Sequence, residues 1–210
     1  MAPLKIAFTG LLLSLLLALG ACQNPNNVTA LIYLAKTVIQ LIDTFSEKSD
    51  GFTDRVRKVT AMTTSSINEN KDIGDIAKFW EKQWLDIHAR FDDLEAHLHA
   101  INMKSLEYFQ ELDNNNALIS DERLKAQDAA KTQEIKLKWQ QEYQKAAASM
   151  ENTKKMLKEG DDFMYLLRNE VLRSAVSESI ASLSQISTQA VLLSTSIKSF
   201  EQSAKTIFRT

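Results

Sequence analysis

The feature that most restricts the fold of this chain is the near absence of residues that interrupt a helix. The 210 residues include only two prolines, Pro3 and Pro25. After Pro25 there is no proline, and the remaining glycines stand far apart, at Gly51, Gly74 and Gly160. A protein of strands and tight turns needs such residues at each turn, whereas long helices need few of them. The sequence therefore predicts an all-α protein.

The clearest helix is predicted over residues 73–112. Its apolar residues follow alternating steps of three and four for more than four heptads, which is typical of a coiled-coil seam. The centre of this packing seam is formed by Trp84, Ile87, Phe91, Leu94, Leu98 and Ile101. At 1.5 Å per residue the helix would be roughly 60 Å long. A seam of this length requires a partner helix of similar length.

The same spacing predicts four further helices, over 28–45, over 52–67, from Ser120-Asp121-Glu122 onward, and over about 174–207. Breaks are predicted at Asp50-Gly51, 68–72 and 113–119, with a kink or local break at Gly160. Asp72 is a candidate N-cap for the seam helix, and Ser120-Asp121-Glu122 combines a cap with an acidic first turn. Short loops between long helices predict an elongated antiparallel helical bundle with a coiled-coil-like hairpin.

The first residues have the layout of a secretory signal peptide. Lys5 precedes an apolar run from Ile6 to Leu19, and the small residues Gly20 and Ala21 follow it. The run is too short for a comfortable membrane span, which needs roughly 20 apolar residues. The next residue, Cys22, is the only cysteine of the chain.

Leu19-Gly20-Ala21-Cys22 resembles the lipobox of bacterial lipoproteins. The resemblance implies cleavage between Ala21 and Cys22, a diacylglycerol on the Cys22 thiol and a fatty acyl group such as palmitate on the new N-terminus. Two or three acyl chains anchor a protein stably. In Gram-negative lipoproteins Gln after the cysteine, here Gln23, implies the outer membrane, with the protein facing the periplasm. The chain would then divide into a signal peptide over 1–21, a polar tether over 22–27 and one helical-bundle domain over 28–210.

Charge and cysteine content limit the classes of partner. The formal net charge is −2 for the whole chain, and removal of Lys5 with the signal makes it one unit more negative. This near-neutral balance argues against nucleic acid or anionic lipid held mainly by charge. With Cys22 acylated, no thiol remains for a disulfide.

Motifs for catalysis are absent from the sequence. There is no glycine-rich phosphate loop and no G-x-S-x-G elbow. His88, Asp92, Glu95 and His99 follow steps of four, three and four, so they form one stripe beside the seam and are weak candidates for metal ligands. The paired Glu-x-x-His motifs of di-iron bundles are missing, and such a stripe is normally a solvated face. We therefore expect no enzyme, no metal site and no cofactor.

The tryptophans allow two interpretations. Trp80, Trp84 and Trp139 could line a ligand box, or they could belong to the core, and helical spacing favours the core. A hairpin centred on 113–119 would place Trp80 and Trp84 level with 148–152, and Trp139 level with 91–95.

Two functional hypotheses follow. The first is a lipid-anchored, non-enzymatic spacer, adaptor or assembly subunit of the cell envelope, which contacts the membrane through its lipid and a protein partner or a second copy through its helical faces. The alternative is a membrane-active, pore-forming-like bundle whose mobile parts are 28–45 and the charge-free, serine-rich segment 179–197. Segment 28–45 is expected to be either deeply buried or close to the bilayer. Polar side chains favour a buried bundle helix for 179–197.

Overall fold

The computed structural model describes residues 25–169 and 176–209. Within these ranges the chain forms four long α-helices and no strand. The helices are α1 (Pro25–Asn68), α2 (Ile73–Ala117), α3 (Glu122–Arg168) and α4 (Val176–Phe208). The all-α prediction is thus confirmed. The predicted signal peptide, Cys22 and Gln23 lie outside the described residues, and residues 25–27 of the predicted tether are helical.

The four helices form a square, elongated, antiparallel bundle. α1 and α3 each pack along both α2 and α4, whereas the diagonal helices α2 and α4 meet through large side chains, with the Phe208 ring 5.2 Å from that of Tyr108. Lys48 pairs with Asp93, and Arg55, further along α1, pairs with Asp86, which comes earlier in α2. Residue numbers therefore rise along α1 while those of the partners in α2 fall, so α1 and α2 run in opposite directions. At 1.5 Å per residue the helices of 44 to 47 residues are about 65–70 Å long.

One continuous hydrophobic core runs along the axis of the bundle. The six residues at the centre of the α2 seam are all buried, with at most 5% of each side chain exposed. They pack with apolar residues of the other helices, among them Phe45, Phe52, Met156, Phe163, Ile186 and Phe200. Burial of one such side chain is worth about 1.5–3 kcal/mol, so tertiary packing dominates the stability of these helices.

Helix α1 passes through Asp50-Gly51 without interruption, so the predicted break there is wrong. Glycine inside a helix costs only about 1 kcal/mol. Phe45 and Phe52, on either side of this point, are buried in the core, and Asp50 is paired with Lys198 of α4. The packing on both sides outweighs the local cost.

Helix α3 also passes through Gly160 without a break, so the predicted kink is wrong. The glycine serves close helix packing instead. A Cβ at this position would lie 1.9 Å from Cζ2 of Trp84. The Trp80 indole N–H donates to the carbonyl of Gly160 (3.0 Å), and that of Trp84 donates to the carbonyl of Leu157 (3.3 Å).

The loop between α2 and α3 is shorter than predicted. α2 continues through Asn114-Asn115-Asn116 to Ala117, and the Asn116 side chain donates to the carbonyl of Lys125 (2.9 Å). The hairpin therefore turns later than assumed. Its register places Trp80 and Trp84 beside Gly160 and Leu157 instead of 148–152.

The register expected for Trp139 is wrong for the same reason. The ion pair between Lys136 and Asp113 (2.7 Å) places Trp139 level with about residue 110 of α2, not with 91–95. Both predicted caps are confirmed. The Asp72 carboxylate accepts from the Asp75 N–H, and that of Asp121 accepts from the N–H groups of Arg123 and Leu124.

Candidate functional site

The histidine stripe is not assembled into a ligand set. His88 Nε2 lies 2.9 Å from Oδ1 of Asp161 on α3, and Glu95 pairs with Lys154 at 2.6 Å. Asp92 and His99 are exposed. No group of three or more His, Cys, Asp or Glu side chains able to hold a metal occurs in residues 25–169 and 176–209. Where these side chains are paired, they form contacts between α2 and α3.

The tryptophans lie in the core. Trp80 and Trp84 stack with ring centroids 4.7 Å apart, and Phe163 meets Trp80 edge-on at 4.7 Å. Trp139 packs against Phe200 and Phe208 of α4, with centroids 5.8 and 5.3 Å away. The aromatic rings therefore tie α2 to α3 at one end of the bundle and α3 to α4 near the other.

The contact between α1 and α4 has a different chemistry. Buried hydroxyl groups lie along it: Ser46, Thr53, Thr60 and Ser194. The Thr53 hydroxyl donates to the carbonyl of Ala190 (2.9 Å), and that of Ser194 donates to Asp50 (2.6 Å). Ser49 and Thr63, both fully buried on α1, have no hydrogen-bond partner among the described residues. An unsatisfied buried hydroxyl is costly, so these two positions lower the stability of the packing around α1.

An open groove of about 930 Å³ lies between α1 and α4, in the half of the bundle away from Pro25. We call it the α1–α4 groove. Its polar lining comprises Asp54, Arg57, Lys58, Thr60, Thr64, Ser65, Asn68, Ser184, Ser187 and Thr188. A smaller groove of about 340 Å³ shares Asp54 and Arg57 with it and extends to Lys198. Hydroxyls that can both donate and accept lie beside the cations of Arg57 and Lys58 and the carboxylate of Asp54, so the groove can form hydrogen bonds with a polar ligand.

Two carboxylates of the α1–α4 contact are held in their charged form. Burial would raise the pKa of Asp50, but the hydrogen bond from Ser194 and the ion pair with Lys198 (2.9 Å) outweigh it and lower that pKa. Burial would likewise raise the pKa of Glu201, and its hydrogen bonds with Lys205 and Ser46 lower it instead. The polar contact is therefore strongest when both carboxylates are ionised.

The sequence indicated only part of this site. The charge-free segment 179–197 was expected to be a buried bundle helix, yet α4 buries one face and exposes the other, including Val191 and Leu192. α1 contains a similar stretch rich in Thr and Ser, from Thr60 to Ser66. The sequence alone does not show that this stretch and α4 line one groove, because that requires α1 and α4 to be known as neighbours.

One described helix, α1, is long and apolar enough to cross a membrane by length and composition alone. Its most apolar window has a mean hydropathy of 1.4, and 17% of that window is buried in the bundle. Comparison of the chain with protein-family models, curated proteins and solved structures gives no match.

Proposed function

We propose that this protein is a lipid-anchored, non-enzymatic spacer or adaptor of the bacterial cell envelope. The observation that carries the proposal is the lipobox-like sequence ending at Cys22, three residues before the first residue of α1. A lipid on Cys22 would attach the membrane to one end of a rod. The outer membrane, facing the periplasm, is the location that Gln23 favours.

The dimensions of the bundle support a role at a distance from the membrane. The α1 residues that line the α1–α4 groove run from Asp54 to Asn68. They lie about 45–65 Å along the helix axis from Pro25. A partner protein bound there would be held well away from the lipid surface, as expected of an adaptor.

Site-specific photocrosslinking in intact cells tests the adaptor role. A photoreactive residue would replace Ser65, which is exposed in the α1–α4 groove, and as a control Lys138, which is exposed on α3. We expect one reproducible envelope protein to be captured from Ser65 and not from Lys138. Equal capture from both positions, or none from Ser65, would contradict the proposed use of the groove.

A second candidate function is a membrane-active bundle that opens between α1 and α4. It is favoured by the buried hydroxyls of Ser49 and Thr63 on α1, which have no hydrogen-bond partner among the described residues, and by the apolar window of the same helix. Leakage of dye from phosphatidylglycerol vesicles on addition of the purified protein would support it. Intact vesicles at the same protein-to-lipid ratio would leave the adaptor as the proposal.

A further inference from the structure

At the end of the bundle that carries Pro25, the described residues supply three helices instead of four. Phe45 packs against Phe200, with ring centroids 6.2 Å apart. Counted back along these antiparallel helices, Phe208 at the end of α4 lies level with about residue 37 of α1. Among the described residues, the preceding turns of α1 therefore have no α4 neighbour. Leu31 and Leu34, in these turns, are only partly buried.

Apolar side chains are exposed at this end. Val28, Ile32 and Tyr33 of α1 are 44%, 51% and 67% exposed. The α2–α3 loop turns at the same end, since the antiparallel register places residue 28 level with about residue 113 of α2. In that loop Leu118 is 65% exposed. We call Val28, Ile32, Tyr33 and Leu118 the apolar end.

Charged side chains border the apolar end. Residues 25–35 of α1 and residues 114–120 contain no charged side chain. Asp121, Glu122 and Arg123, which follow three residues after Leu118, are exposed at the start of α3. The interfacial layer is hydrated, so charged groups at its outer edge are compatible with apolar side chains that enter it.

We infer that the apolar end rests in the interfacial layer of the bilayer. This inference rests on the proposed anchor at Cys22. Only Gln23 and Asn24 separate that cysteine from Pro25, so even an extended chain would keep the first turn of α1 within about 10 Å of the lipidated residue. The interfacial layer is itself about 5–8 Å thick on each side.

The chemistry of the apolar end fits a lipid surface. Leucine, isoleucine and valine gain free energy on leaving water, and tyrosine favours the interface because its ring is apolar and its hydroxyl remains hydrated. Lys36, exposed one turn beyond Tyr33, can extend its ammonium group toward the headgroups. The bundle would thus be held by its lipid and oriented by this contact.

Fluorescence quenching in vesicles tests the inference with the lipidated protein. An environment-sensitive dye is attached to Ile32→Cys or Leu118→Cys in phosphatidylcholine vesicles that contain nitroxide-labelled lipid. The matched controls are Met62→Cys (46% exposed) on α1 and Leu85→Cys (67% exposed) on α2, both far from the apolar end. We expect loss of fluorescence at 32 and 118, none at 62 and 85, and no dependence on salt, because phosphatidylcholine carries no net charge.

The possible outcomes separate this inference from the proposed function. Dye uptake by the protein without an introduced cysteine would show a free Cys22 thiol and would overturn the anchor itself. With the anchor intact, equal quenching by the nitroxide lipid at 32, 62, 85 and 118 would overturn the membrane contact alone. Shielding of residue 32 that increases with protein concentration at constant lipid would assign the apolar end to a second copy and also overturn the inference.

Discussion

At the scale of single residues, the bundle depends on a few close contacts that the spacing of apolar residues in the sequence does not indicate. Gly160 allows the Trp84 ring to lie directly against the backbone of α3. Trp80 and Trp84 then donate to carbonyls of that helix. The absence of a side chain at one position thus sets the spacing between α2 and α3.

Replacing Gly160 with Ala should destabilise the protein by about 1–3 kcal/mol, because a new Cβ must displace a buried indole ring. Gly51→Ala is the matched control. Gly51 is also helical, but no atom lies within 4 Å of a Cβ built there. That change should stabilise by about 0.4–1 kcal/mol. Urea unfolding of both variants measures the difference, and a neutral Gly160→Ala would contradict the packing described.

Two buried threonines of α1 should respond oppositely to the same substitution. Thr63→Val removes a buried hydroxyl without a partner and should stabilise by about 1 kcal/mol. Thr53→Val removes a hydrogen bond to the Ala190 carbonyl and should destabilise by about 1 kcal/mol. Denaturant midpoints of the two variants test this. Shifts of the same sign would argue against the assigned hydrogen bonding.

Asp50 should make part of the stability dependent on pH. Its pKa is lowered in the folded state below the ordinary 3.8. Its contribution is therefore present above that value and is lost as the pH falls through the folded-state pKa. Wild type should exceed Asp50→Asn in stability by up to about 1 kcal/mol near neutral pH, since the pair with Lys198 is partly exposed.

The difference between wild type and Asp50→Asn should shrink as the pH falls below about 4. Asp54→Asn is the control, because Asp54 is exposed and has no ion pair or hydrogen bond among the described residues. Unfolding free energies at several pH values give the curve. A difference between wild type and Asp50→Asn that stays constant down to about pH 2 would contradict the assigned cause.

At the scale of helices, the α2 seam supplies one of the four sides of the core. Its residues from Trp84 to Ile101 face the axis, between α1 on one side and α3 on the other. Polar residues at the edges of this seam pair with the neighbouring helices, as Asp93 does with Lys48 of α1. The stability of the bundle therefore depends on this apolar stripe remaining free of charge.

Leu98→Asp should cost several kcal/mol, because it buries an unpaired carboxylate in mid-seam. Leu106→Asp, on the exposed face of the same helix, should change stability by less than about 0.5 kcal/mol. Thermal unfolding followed by circular dichroism should show a fall of several degrees or more for the first variant only. Equal melting temperatures for the two would mean that the seam is not the core.

Residue types at the helix starts were sufficient to predict the caps at Asp72 and Asp121. Hydrophobic periodicity was sufficient to predict the all-α class, but it divided α1 into two helices. It failed at Gly51 and Gly160, where packing against other helices outweighs the local preference of glycine. It also misplaced the α2–α3 turn. The Asn116 side chain, near the end of α2, donates hydrogen bonds to Lys125 and Asp128 across the loop, and no local pattern shows these bonds. The pairing of α1 with α4, and with it the groove, required the tertiary arrangement.

At the scale of the whole molecule, the bundle is a rod with unlike ends. The end near Pro25 exposes Val28, Ile32, Tyr33 and Leu118, beside the charged start of α3. The groove lined by hydroxyls lies toward the opposite end. This polarity fits a protein that is held by lipid at one end and recruits a partner with the other.

The most direct test of this account is the mass of the N-terminal peptide of the protein purified from membranes of its native host. We expect the chain to begin at Cys22, with a mass increased by a diacylglycerol group and a fatty acyl group. Cys22→Ser should abolish that species and release the protein from the membrane or leave an uncleaved precursor. A wild-type chain that retains residues 1–21, or that carries an unmodified Cys22, would contradict the central claim.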